Sequence, residues 1–378
     1  MTPPTEIPTG KRAALLALVV LSAAACSSVP VKNPVANTFP AVSIPAGERW
    51  DPVSVCGQMF LRAETTVGEG AGPPFQIVVL GDSIVWGQGL PEEQKSSTLV
   101  QRSIAEKHNR PVRKRVYAHS GATLEQAGSV LDIAHGEVPS DSPHIALQAE
   151  CVPNPGEVDL VLVNGCINDV DGARFFDPTT DPESSGIGKL CGEKCGEPMR
   201  RLLARIMARF PKARIVLPGY YPFFSGQTPK ATLHFVSLLF TVMTNPGGEL
   251  PPWPDAADRM IRKSAIWYET SNTTLARAVE EADRAEGGTG RVVFAPVPFL
   301  PEHAYGAPES MLWAITEHDD VAASRWWECL GRNRITDRIR CINASAFHPN
   351  PAGAKVYADS IIRALERPRE TTTGIPER

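Results

Sequence analysis

The chain has 378 residues, 42% of them hydrophobic and 21% charged, with a formal net charge of -4. That length allows one large domain or two small ones, and the composition is ordinary for a folded protein with a full core. A slightly acidic balance, with no basic run interleaved with aromatics, speaks against nucleic acid as a partner.

Residues 1–25 read as a signal peptide. Lys11-Arg12 precede an apolar run over 13–25 that is too short to cross a bilayer core of ~30 Å as a helix. The run closes with Leu21-Ser22-Ala23-Ala24-Ala25-Cys26, and small residues before a cysteine have the pattern of a bacterial lipobox. Cys26 would then be a lipidated new N-terminus. The alternative is ordinary cleavage at the Ala-x-Ala site, which frees a secreted protein. Both readings export the chain. Residues 26–72, rich in Pro, Ser, Thr and Ala, read as a tether that gains order towards Trp50 and Cys56.

Continuous apolar runs predict strands over 76–80, 158–163, 213–217 and 292–296, with a weaker fifth over 115–118. Apolar residues at helical spacing predict helices over 99–107, 124–134, 199–210, 271–285 and 352–364. Strands of this kind alternating with amphipathic helices predict a mostly parallel sheet covered on both faces. Two insertions break the alternation. Residues 171–198 look loop-like, and residues 220–267 hold an apolar stretch over 233–243, which reads equally as a core helix or as a lid or acyl-chain wall.

After Cys26 seven cysteines remain, enough for three bridges and one free thiol. Local pairing favours Cys191 with Cys195 and Cys329 with Cys341, then Cys56 with Cys151, leaving Cys166 free. The spacings fit no zinc pair, and an exposed acidic loop is the expectation for His318-Asp319-Asp320.

Ligands of open α/β sheets sit beyond the carboxyl ends of the strands. After the first strand come Gly81-Asp82-Ser83, a serine at a tight strand-to-helix turn, with Asp82 read as the turn and helix-start residue. The missing last glycine of G-x-S-x-G argues against an α/β-hydrolase elbow. After the next strand comes Gly121, whose N–H can face an anion. Gly165-Cys166-Ile167-Asn168-Asp169 then offers a side-chain amide, with Asp169 read as structural. Near the C-terminus, Phe347-His348-Pro349 leads into the last helix.

Gly81-Asp82-Ser83, Gly121, Gly165-x-x-Asn168 and His348-Pro349 together resemble the four signature blocks of the GDSL/SGNH hydrolases, in family order. The resemblance implies a flavodoxin-like three-layer α/β/α sandwich spanning residues 73–368, with 369–378 as a tail. It implies Ser83 as nucleophile and His348 as general base. Ser83, Gly121 and Asn168 would form the oxyanion hole, with no metal or organic cofactor. The expected reaction is hydrolysis of a carboxylic ester through an acyl-enzyme, the substrate being a lipid ester or an acetylated glycan. The expected partner is a small-molecule or lipid ester, and membrane contact would come only through a lipid anchor at Cys26. The expected state is a monomer.

One position departs from the family. Ser345 stands where an aspartate usually orients the histidine, three residues before it. Three readings follow: Ser345 or a backbone carbonyl holds the ring, an acid such as Asp337 substitutes, or the enzyme is impaired. The first is favoured, because a carbonyl can accept from Nδ1–H and fix the same tautomer. Two rivals remain, a non-catalytic envelope lipoprotein that keeps the fold, and an acyltransferase on envelope glycans.

Overall fold

The computed structural model describes residues 61–125, 143–170, 173–244, 253–315, 319, 321–331 and 335–367. The signal segment, Cys26, Cys56 and most of the expected 124–134 helix lie outside them. Among the described residues no helix is long and apolar enough to cross a membrane.

The frame is a six-stranded sheet of order β1-β3-β2-β4-β5-β6, with β1 Ala63–Val67, β2 Phe75–Leu80, β3 Val112–Val116, β4 Leu160–Val163, β5 Arg214–Pro218 and β6 Val292–Ala295. All neighbouring pairs are parallel except β1 with β3. The five parallel strands follow the flavodoxin-like order, whose direction of winding reverses beside β2. The expected sheet is therefore present, with one strand more than anticipated. β1 falls inside the stretch assigned to the tether, so that assignment ran past the start of the sheet. Its Ala-Glu-Thr-Thr-Val sequence alternates between half-buried and exposed positions and carries no apolar run. β3 begins three residues earlier than expected because its register starts at Val112, ahead of the charged Arg113-Lys114-Arg115.

The apolar strands split between two cores by the period of two of a β-strand. On one face Val78, Leu80, Val161, Val163, Ile215 and Leu217 are buried. On the other are Ile77, Val79, Leu160, Leu162 and Val216. Helices cover both faces, which is why the runs are apolar throughout. The helices are α1 Ser83–Trp86, α2 Ser96–His108, α3 Ile145–Glu150, α4 Ala173–Phe176, α5 Ile187–Cys191, α6 Glu197–Arg209, α7 Lys230–Thr244, α8 Trp253–Ala285, α9 Ala322–Leu330, α10 Ile335–Ile342 and α11 Pro351–Glu366. α6 and α8 pack on the first face through residues such as Leu203, Ile206, Leu275 and Val279. α2 and α11 close the second through Val100, Ile104, Ala358 and Ile361.

Both insertions are more helical than expected. The first contains α4, α5 and a π-helical turn, Gly192–Gly196. The second contains α7 and the beginning of α8, which starts well before the expected residue 271. Fully buried Lys263, Ser264 and Ser271 interrupt the apolar stripe of α8 and hide its period.

Two disulfide expectations are corrected. Cys195 pairs with Cys166, with Cα atoms 5.2 Å apart, and Cys191 is the buried free thiol. Cys191 and Cys195 lie four apart on one helical run, which sets their Cα–Cβ bonds side by side rather than converging. Burial pushes the Cys191 thiol up to about 12, so it is unreactive at neutral pH. Cys329–Cys341 forms as expected. Cys151 is disulfide-bonded, and its expected partner Cys56 lies outside the described residues.

Candidate active site

At the carboxyl end of β2 the chain turns through Gly81, at φ +142, where a Cβ would stand 2.5 Å from the Asn164 carbonyl oxygen. Only glycine fits so close an approach. Gln148, fully buried on α3, brackets the same residue. Its Oε1 accepts from Gly81 N at 2.8 Å and its Nε2 donates to the Gly81 carbonyl at 3.1 Å. Asp82 caps α1, its Oδ1 accepting from Ile84 N at 2.9 Å, and Ser83 is the first helical residue. The Ser83 side chain is largely buried.

His348 reaches this serine from the other end of the sequence. Its Nε2 lies 2.7 Å from Ser83 Oγ, and its Nδ1 lies 3.1 Å from the Ala346 carbonyl oxygen. With Nδ1–H donating to that carbonyl, Nε2 is left as the acceptor facing the hydroxyl. The Ser345 hydroxyl accepts from Arg325 Nη2 at 3.2 Å, while the contact at His348 Nδ1 is the Ala346 carbonyl. Of the first expected reading it is the carbonyl alternative that the geometry fits. Burial lowers the His348 pKa to about 4; the carbonyls of Ala346, Ser345 and Ala344 oppose this, and the Arg325 charge adds to it. The imidazole is therefore neutral at pH 7, as a base must be.

The loop carrying His348 is pinned on several sides. Trp313 N donates to the His348 carbonyl at 2.9 Å, and the Tyr221 hydroxyl donates to the Phe347 carbonyl at 2.9 Å. Phe347 has φ +67, a left-handed conformation that costs a bulky residue about 1–3 kcal/mol. Its ring packs on Tyr305 at 4.3 Å and Phe176 at 4.7 Å, which offsets that strain.

The third expected block joins the second. Asn168 Nδ2 donates to the Ala122 carbonyl at 2.9 Å, leaving its other hydrogen available, and the Asp169 carboxylate accepts from Leu124 N at 3.2 Å. Asp169 is thus a loop brace, as expected. Gly121 is exposed, and among the described residues neither its N–H nor that of Ser83 is spent on a hydrogen bond. Cys166, two residues before Asn168, has φ +118 and is clamped by its disulfide. Strained non-glycine backbone thus stands beside both Asn168 and His348.

Several residues that brace the site were not anticipated. The Tyr220 hydroxyl, just beyond β5, donates to Asp82 Oδ2 at 2.9 Å and accepts from Ile167 N at 3.2 Å, linking the first block to the third. A position past a strand end was the available signal. Gln148 gave none, being one polar residue in an apolar helix. Burial raises the Asp82 pKa to about 7, against the Ile84 N–H and the Tyr220 hydroxyl and with a further push from the Asp169 charge. Asp169 is likewise raised by burial, to about 6, against the Leu124 N–H.

The exposure expected for the acidic loop at 318–320 is corrected at Asp319. Asp319 is fully buried, fork-paired with Arg325, while His318 and Asp320 lie outside the described residues. The Asp337 side chain is likewise outside them. His119 is buried and stacked on Trp86 at 5.2 Å, and Lys95 Nζ lies 3.4 Å from the centroid of the same indole. Among the described residues no group of three or more His, Cys, Asp or Glu side chains is placed to hold a metal ion.

The extracellular lipase of Streptomyces rimosus aligns at 17% identity over 77% of this chain and 99% of its own, with a TM-score of 0.46. Phospholipase A1 of Streptomyces albidoflavus aligns at 14% identity over 78% of this chain and 98% of its own, at 0.42. A family 2 carbohydrate esterase of Corynascus thermopiles, carrying a carbohydrate-binding domain, aligns at 17% identity over 80% and 69%, at 0.37. No protein of curated function matches the sequence. The family model of the GDSL-like lipase/acylhydrolases matches residues 79–356, well over half of the sequence and every block of the site, and the chain belongs to that family.

Proposed function

We propose that the protein is an exported serine esterase in which Ser83 is the nucleophile and His348 the general base. The observation that supports this most is the 2.7 Å contact between His348 Nε2 and Ser83 Oγ, with Nδ1 facing a carbonyl. His348 takes the hydroxyl proton as Ser83 attacks the ester carbonyl carbon. The oxyanion is held by Ser83 N–H, Gly121 N–H and the free Asn168 amide hydrogen, each worth ~3 kcal/mol to the transition state. Collapse expels the alcohol, protonated by His348, and leaves an acyl-serine. A water, deprotonated by the same imidazole, then frees the acid.

Residues 73–368 form the hydrolase domain in this proposal. Residues 1–25 direct export, and Cys26 is the lipid-anchor site. Acyl lipids are the favoured substrates. Phe240 of α7 packs on Phe176 at 6.3 Å, and Phe176 packs on Phe347 beside His348, an aromatic wall leading towards the base. Turnover of p-nitrophenyl esters tests both parts. Hydrolysis should vanish in Ser83→Ala, and kcat/KM should rise from acetyl to longer acyl chains. A flat chain-length series removes the lipid preference while leaving the esterase intact. No turnover by the intact protein contradicts the esterase itself.

A further inference from the structure

A buried ion pair stands behind the position where the usual aspartate is missing. The side chains of Asp319 and Arg325 are 0% and 2% exposed. Arg325 Nη1 donates to Asp319 Oδ1 at 3.1 Å, and Nη2 donates to Oδ2. The guanidinium then uses its remaining reach on the turn that leads to His348. Nη2 donates to Ser345 Oγ at 3.2 Å and Nε donates to the Ile342 carbonyl at 3.2 Å. Burying two charges costs several kcal/mol per ion, and apolar residues would fill the same space at less cost. The pair is therefore poorly explained as a source of stability alone.

Two further observations bind it to the site. A Cβ on Gly89, in the loop after α1, would fall 2.5 Å from Ser345 Cβ and 3.4 Å from Asp319 Cγ, so the Ser83 loop packs directly against the pair and its turn. Cys329 lies one helical turn beyond Arg325 on α9, and its disulfide to Cys341 ties that helix to the residues just before the turn.

We infer that Asp319 and Arg325 are positioning residues for His348, a reading that rests on the esterase proposal. Asp319 holds the guanidinium, and Arg325 fixes residues 342–346 so that the Ala346 carbonyl meets Nδ1. The ring keeps the tautomer whose Nε2 accepts from Ser83. An acid thus acts at one remove, through an arginine and a backbone carbonyl. Ser345 suits this arrangement because a hydroxyl accepts from Arg325, whereas a carboxylate there would compete with Asp319 for the same guanidinium.

The test compares Arg325→Met, Arg325→Lys and Asp319→Asn with the full-length protein on p-nitrophenyl butyrate. It also follows the His348 Nδ1–H proton by NMR. Misplacing a catalytic group by about 1 Å can cost on the order of 100-fold, so Arg325→Met should lower kcat ten- to a hundredfold while KM changes little. The Nδ1–H resonance should shift or exchange away. Arg325→Lys keeps the charge but loses the fork, and should fall between the two. If Arg325→Met does not fold, Arg325→Lys and Asp319→Asn carry the same readouts. Folded variants with unchanged kcat and an unchanged Nδ1–H resonance overturn the inference. If the intact protein turns over no ester, the esterase reading fails instead, and the resonance alone still decides whether the pair holds the ring.

Discussion

Ser83 stands on a four-residue helix whose turn and cap are residues suited to their places, whereas His348 stands on a turn held against its own backbone preference. At the Ser83 end, Gly81 supplies the turn and Asp82 the cap, and Gln148 and Tyr220 brace them from distant parts of the chain. At the His348 end the restraints come from Tyr221, Trp313 and Arg325, and Phe347 is held in a left-handed conformation against its own preference. A site with one end in a preferred conformation and the other held in a left-handed one should respond asymmetrically. Loss of a restraint should displace the histidine more readily than the serine.

The largest effect should come from breaking either end outright. Ser83→Ala and His348→Ala should each reduce p-nitrophenyl butyrate turnover by about 10⁴-fold or more, with the double variant hardly worse, because members of one proton-transfer unit are not additive. If the two losses instead multiply, the contact between these residues is not a working unit. Next in size is the oxyanion hole. Asn168→Ala should lower kcat by about 10²–10³ with a modest change in KM.

The pH dependence separates the two ends further. His348 is lowered by burial to about 4, so the protonated, inactive base should appear only as pH falls through that value. The acid limb of kcat/KM should therefore lie near pH 4 rather than near the ordinary histidine value of about 6.5. Asp82, near 7, and Asp169, near 6, titrate higher and sit under Ser83 and Asn168, so Asp82→Asn identifies any limb at neutral pH that belongs to them. The smallest effect should come from Tyr221→Phe. Losing its bond to the Phe347 carbonyl should cost about 1 kcal/mol, a fall in Tm of roughly 2–4 °C. Its loss of kcat should exceed what that small change in stability would suggest.

The same division explains what the sequence could disclose. The central strands were legible because both faces of the sheet are covered, so β2, β4, β5 and β6 are apolar runs bounded by turn residues. β1 was not, since an edge strand of Ala, Glu, Thr, Thr and Val carries little apolar signal. The four site blocks could be read because each lies at a strand end or leads into a helix. What holds them could not. Gln148, Asp319 and Arg325 have nothing adjacent in sequence that marks a buried polar partner, and Tyr220 was marked only by its place past β5. The Cys166–Cys195 bridge was missed for the same reason, because local spacing favoured Cys191 while the fold brings a loop after β4 to the helical run.

The most direct measurement is covalent labelling of the intact protein with a fluorophosphonate, followed by mapping of the modified peptide. One adduct per chain, on Ser83, lost in Ser83→Ala and slowed at least a hundredfold or so in His348→Ala, is the expected result. An inert protein, or an adduct on another residue that survives Ser83→Ala, would contradict a nucleophile at Ser83 activated by His348.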